Sequence, residues 1–140
     1  MYDSSLTRMS LPPERYRMLL GTALSVFISN NGFIIENILH TDNSYSWFEL
    51  IDKESGKLKP YIAKTITKKS DPTIADKFAE IVGMRNRIIH GFRCASRDNE
   101  QVIATKNREG KQFYITEEYM LRFIKLNEEL SDMLYKYRGY

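Results

Sequence analysis

Residues 71–91 read DPTIADKFAEIVGMRNRIIHG, and the fold of the whole chain turns on how this stretch is interpreted. Asp71 followed by Pro72 marks a helix start: the carboxylate is placed to accept an amide proton that has no helical partner, and proline is tolerated at the first helical position. Ile74, Phe78, Ile81, Val82, Ile88 and Ile89 then run as a helical stripe up to Gly91. Arg85 stands where the stripe requires another apolar residue. A guanidinium on a core-facing stripe is costly unless it is paired or opens onto a cleft. Asn86 and His90 are four apart and share a face beside the stripe. Arg85 and His90 are five apart, about 140° around an ideal helix. A long arginine reaches the same cleft most easily if the helix ends at His90 and Gly91 takes the left-handed terminating conformation.

Beyond Gly91 the period changes. Residues 101–105 and 112–115 are short β-branched or aromatic runs joined by residues 107–111, which predicts a β-hairpin with a longer loop. Thr116 then caps a last helix carrying Tyr119, Phe123, Leu126, Leu130, Leu134 and Tyr137, with Glu117 and Glu118 placed to favour the helix dipole. Upstream, Pro12 and Pro13 open a long amphipathic helix to about Leu39, marked by Leu20, Leu24, Phe27, Asn31, Ile35 and Ile38. Asn31 and Asn30 fall on its apolar side, either as buried amides satisfied by a neighbouring helix or as ligand contacts. Trp47, Phe48, Leu50 and Ile51 predict a short second helix ending near Gly56, and Tyr61, Ile62 and Ile66 another turn or two. Residues 1–11 are unpatterned and read as a loose arm. The expectation is one domain over residues 1–140, mainly α, a bundle of four to five helices with a small β-hairpin before the C-terminal helix.

Composition narrows the setting. With 140 residues, 42% hydrophobic and 28% charged, the chain can bury one core without staples. Cys94 is its single cysteine and it has 2 His, so neither an internal disulfide nor a Cys/His zinc set is expected. The apolar run from Met18 to Ile28 is too short to span a bilayer and lacks a cleavage pattern, which favours a cytoplasmic protein without membrane contact. The net charge of +3 permits nucleic-acid contact without demanding it. Much of the excess is local: Lys53, Lys57, Lys59, Lys64, Lys68 and Lys69 share a segment whose only acid is Glu54. That segment reads as a solvated face or as a phosphate-binding one.

Met-Arg-Asn-Arg-Ile-Ile-His, residues 84–90, resembles the Arg-x4-6-His signature of HEPN domains, including the polar residue directly after the arginine. The long first helix, the motif near the end of a later helix and the closing C-terminal helix are similar to that family as well. The resemblance implies a metal-independent endoribonuclease of toxin or phage-defence type, needing no cofactor, and acting as a homodimer whose two motifs line one cleft. It casts His90 as the acid/base at the ribose 2′-hydroxyl or the leaving oxygen, Arg85 as the holder of the scissile phosphate, and Asn86 as the group orienting either. Arg87, Lys68 and Lys69 are the further candidates for RNA contact, and an antitoxin or regulatory protein is an implied partner. The chemistry is coherent in its own right, since imidazole titrates near neutrality, guanidinium forks two phosphate oxygens and RNA carries its own nucleophile. Phe92 departs from the subgroup that carries a modifiable tyrosine two residues after the histidine.

Other readings stand beside this one. The chain is alternatively a non-catalytic HEPN-like module for dimerisation or for RNA or partner binding. His90 then only satisfies a helix end, and Arg85 pairs with a core carboxylate such as Glu36. Tyr135, Tyr137 and Tyr140 serve helix packing or base stacking. His40 is a helix-end residue, and Cys94, although near Arg93 and Arg97, has no base to make it a nucleophile.

Overall fold

The computed structural model describes residues 7–139 and is a helical bundle with a small antiparallel sheet before its last helix. Helix α1 spans Glu14–Thr41, α2 Trp47–Ile51, α3 Lys59–Ile62, α4 Thr73–Ile89 and α5 Glu117–Arg138; strands β1 (Phe92–Ala95), β2 (Gln101–Lys106) and β3 (Gln112–Ile115) lie between α4 and α5. The segment from α2 to α4 is more helical than the sequence suggests. A 3₁₀ turn, Ser55–Leu58, leads into α3, and a π turn, Ala63–Thr67, continues it, so that Leu58, Ile62 and Ile66 enter the core from one continuous run.

The first and last helices form the spine of the bundle. Arg15 meets Glu117 at 2.8 Å, Asn30 meets Asn127 at 2.9 Å and Thr41 meets Tyr137 at 2.5 Å, so α1 and α5 run parallel from end to end. Helix α4 runs antiparallel to α5, as the pairings of Lys77 with Glu129 and of Tyr119 with the Met84 carbonyl require. Phe27, Phe78 and Phe123 meet where the three helices join, with centroids 6.3 and 6.2 Å apart. The buried face of α1 is centred on Tyr16, Ala23, Phe27, Asn30, Ile34 and Ile38, rotated slightly from the expected stripe; Leu20 and Leu24 are only half-buried. Asn30 is the buried amide: its Nδ2 donates to Asn127 and its Oδ1 accepts from Ser131, while Asn31 accepts from Ser55.

Helix α1 is also longer as a membrane candidate than the Met18–Ile28 run. It is the one helix among the described residues long and apolar enough to cross a membrane by length and composition, with 28% of that window buried. Its inner side is the core of the bundle; its outer side, including Met18 and Ile28, is exposed.

The expected hairpin is a three-stranded meander, β1-β2-β3. Phe92 pairs with Ala104, and Ala104 with Tyr114. Strand β1 escaped the sequence reading because it is an edge strand with no buried residue and therefore no alternating pattern. Tyr16 ties the sheet to α1: its hydroxyl donates to the Ile115 carbonyl and accepts from the Ile103 amide, and burial pushes the phenol above its ordinary range. Thr116 caps α5 by accepting from the Tyr119 amide, as its position in sequence predicts. Asp71 likewise accepts from the Thr73 amide, although α4 begins one residue later than expected, with Pro72 as the capping residue.

Candidate active site at the end of α4

The polar residues of the motif collect at the C-terminal end of α4. The helix ends at Ile89; His90 caps it at φ −93°, and its amide closes the last turn on the Asn86 carbonyl. Gly91 is not left-handed, contrary to the expectation, since positive φ occurs among the glycines only at Gly110 and Gly139. The need for glycine here is closeness: a Cβ at Gly91 would lie 2.4 Å from Ile103 Cγ2 and 3.0 Å from the Ala104 oxygen. Strand β2 is thereby pressed directly against the end of the motif helix.

Arg85, Asn86, Ile89 and His90 line one cleft of about 340 Å³, completed by Glu54, Gly56 and Lys57 from the 3₁₀ turn opposite. The guanidinium of Arg85 lies over the Phe27 ring at 5.2 Å and donates to Asn86 Oδ1 at 2.8 Å. Its Nε is buried without a hydrogen-bond partner, and among the described residues no carboxylate pairs with it. Glu36 is exposed on α1 and is not that partner. Arg85 thus engages Asn86 Oδ1 within the lining of the cleft. Asn86 therefore positions the arginine rather than the histidine; among the described residues no side chain holds the imidazole of His90, which is exposed.

A second hollow of about 270 Å³ adjoins the first through the shared residues Gly56 and Asn86, and adds Lys59 and Arg108. The combined surface carries Lys57, Lys59, Arg85 and Arg108 against the single carboxylate of Glu54, an arrangement that favours an anionic ligand. Glu54, Lys57, Lys59 and Arg108 were not singled out as site residues from the sequence. The lysine-rich run contains the first three of them and its two ends have different positions, whereas Arg108 comes from the loop between β2 and β3.

Lys68 and Lys69 are exposed just before α4 begins, whereas His90 caps its other end. A 17-residue helix is roughly 25 Å long, so the structure does not bring these lysines to the cleft. Arg87 is committed elsewhere, donating through Nη1 to the Lys106 carbonyl and so clamping α4 to β2. Tyr135 packs on Phe33 with centroids 4.8 Å apart and Tyr137 bonds Thr41, which are packing roles; Tyr140 lies outside the described residues. His40 is exposed at the end of α1, and Cys94 is half-buried on the sheet.

No protein-family model, curated protein or solved structure matches this chain. What the cleft does chemically therefore has to be read from its own side chains.

Proposed function

We propose that the chain is a HEPN-type, metal-independent endoribonuclease of toxin or phage-defence type, working in the cytoplasm as a homodimer. The observation that carries this reading is the unpaired guanidinium. Arg85 sits on an apolar stripe, stacked on Phe27 and braced by Asn86, with Lys57 and the exposed His90 beside it. A half-buried cation with a buried Nε and no protein anion is costly, and an incoming phosphate removes that cost.

In the reaction, the ribose 2′-oxygen bonds to the adjacent phosphorus while the bond from phosphorus to the 5′-oxygen breaks. One imidazole takes the 2′-hydroxyl proton and another returns a proton to the 5′-oxygen, which is why two copies of His90 serve better than one. Arg85 neutralises the charge that gathers on the phosphoryl oxygens. Ile89, 50% exposed in the lining of the cleft, supplies apolar surface for the second protomer at the site.

The test is incubation of the purified protein with single-stranded RNA in EDTA. Fragments ending in a 2′,3′-cyclic phosphate are expected. Cleavage that requires added metal and leaves a free 3′-hydroxyl overturns the reading.

One observation favours the alternative of a non-catalytic module. From Met18 to Ile35 helix α1 carries no charged residue, yet Met18, Gly21, Thr22, Ser25, Ile28 and Ser29 are exposed along one side. That side is opposite Phe27, so a protein docked there leaves the Arg85 cleft open. RNA binding without cleavage, together with an assembly lost on Ser25→Lys, selects this second reading.

A further inference from the structure

The sheet carries a hollow that neither the cleft nor the fold requires. Phe92, Ala104 and Tyr114 are directly paired across three strands and so project from the same face. The two aromatics flank the small residue: Phe92 is 47% and Tyr114 42% exposed, and Ala104 forms the floor between them. The hollow measures about 580 Å³ and is completed by Cys94, Ala95, Gln112 and Phe113. Among the described residues neither the Phe92 nor the Tyr114 ring stacks on another aromatic.

Strand spacing sets the width. Phe92 and Tyr114 stand two strands apart, roughly 9–10 Å at the backbone. A flat ring held between two others needs about 7–8 Å, two carbon contact distances, a little less than that backbone separation. Gln112 at the rim offers both a donor and an acceptor to the edge of such a ring. The hollow lies close to the cleft along the chain. Phe92 follows His90 by two residues, at most about 7 Å of backbone, within the span of one nucleotide. Lys106, two residues beyond Ala104, shares its face, and Lys111 adjoins Gln112, while Asp98 and Glu100 lie by the β1–β2 turn at the far end of the sheet.

We propose that Phe92 and Tyr114 form an aromatic clamp over Ala104 that takes one nucleobase of a single-stranded RNA, the base next to the phosphate held by Arg85. The mention of that phosphate rests on the proposed function; the clamp itself does not. Stacking is tolerant of base identity, so the clamp confers preference for unpaired over paired RNA rather than a sequence code.

The experiment separates the two. Adenosine, which has no phosphate, is titrated into the protein while the Ala104 methyl is followed by NMR. An upfield, saturable ring-current shift is expected, retained in Phe92→Trp and lost in Phe92→Leu and Tyr114→Leu. Affinity for a single-stranded adenine-rich RNA should fall about tenfold or more in either leucine variant, the usual effect of losing one stack. Binding of an abasic phosphodiester chain should not change. An Ala104 methyl that does not move with adenosine, or moves equally in the leucine variants, overturns the clamp. So does a wild-type dimer that becomes a monomer in those variants without any nucleoside response, since a second copy then occupies the hollow. A normal adenosine response in a protein with no affinity for the abasic chain supports the clamp and removes the phosphate cleft instead.

Discussion

The polar cluster between α1 and α5 and the one at the end of α4 differ in how completely the protein satisfies them. Between α1 and α5, Asn30, Asn127 and Ser131 close a network in which Asn30 donates to Asn127, accepts from Ser131, and Asn127 donates to the Phe123 carbonyl. At the end of α4, Arg85 has one side-chain hydrogen bond, a ring beneath it and a buried Nε with no partner. The first cluster is finished by folding and specifies how two helices align. The second is unfinished by folding, which is what a binding site requires.

The most forceful way to break this comparison is through chemistry. In the proposed ribonuclease, His90→Ala should lower cleavage by about two to four powers of ten, the usual contribution of a general acid or base, while circular dichroism and the oligomeric state stay unchanged. Undiminished cleavage in the folded variant removes the cleft from consideration.

The next sharpens it through stability. Asn30→Ala strands the partners of a buried amide and should cost about 1–3 kcal/mol, read as a lower melting temperature. Arg85→Met keeps the length of the side chain but removes the unpaired cation, and should be neutral or stabilising by up to about 1 kcal/mol, with RNA affinity lost. Equal destabilisation by the two would mean that Arg85, like Asn30, belongs to the fold alone.

A smaller effect separates the lysines. Lys57→Ala should reduce the slope of log affinity against log salt by about 0.7, one phosphate contact on a single strand. Replacing Lys68 and Lys69 together should change it less, because they lie at the other end of α4. The opposite ranking would move the RNA path off the cleft.

The smallest concerns Tyr119, whose hydroxyl donates to the Met84 carbonyl next to Arg85. Burial pushes its phenol up to about 12, against the opposing pull of Arg87 and Arg122. A raised pKa means that the neutral form is favoured by folding. Its contribution is fully present below about pH 10, the unfolded value, and is lost as pH rises through about 12. Alkaline titration by phenolate absorbance should show Tyr16 and Tyr119 titrating late, and the phase near 12 should disappear in Tyr119→Phe.

The helices were legible because their signals are local. Thr116 caps α5 and Asp71 accepts from the first amide of α4 wherever the chain goes next, and the α5 stripe from Phe123 to Leu134 is buried as its spacing implies. Arg85 was legible for the same reason, as a break in a periodic pattern. Its surroundings were not. Glu54 and Lys57 reach the cleft only because a 3₁₀ turn follows α2, and nothing in Ser55–Leu58 announces that turn. Gly91 resembles a left-handed cap in sequence because its true constraint, contact with Ile103 and Ala104, involves residues more than ten positions away. The lysines illustrate the same point from the other side: neighbours in sequence were separated by the length of α4.

The parallel pairing of the first helix with the last has a consequence for how the chain is made. Asn30 and its partner Asn127 are 97 residues apart. At about 5–20 residues per second, ribosomal synthesis places roughly 5–20 s between them. Throughout that interval the inner face of α1, with Phe27, Ile34 and Ile38, has no α5 to cover it, and the same helix presents 18 consecutive uncharged residues from Met18 to Ile35. Nascent chains halted before α5 emerges should therefore bind chaperones avidly, and the demand should end abruptly once Leu134 leaves the exit tunnel.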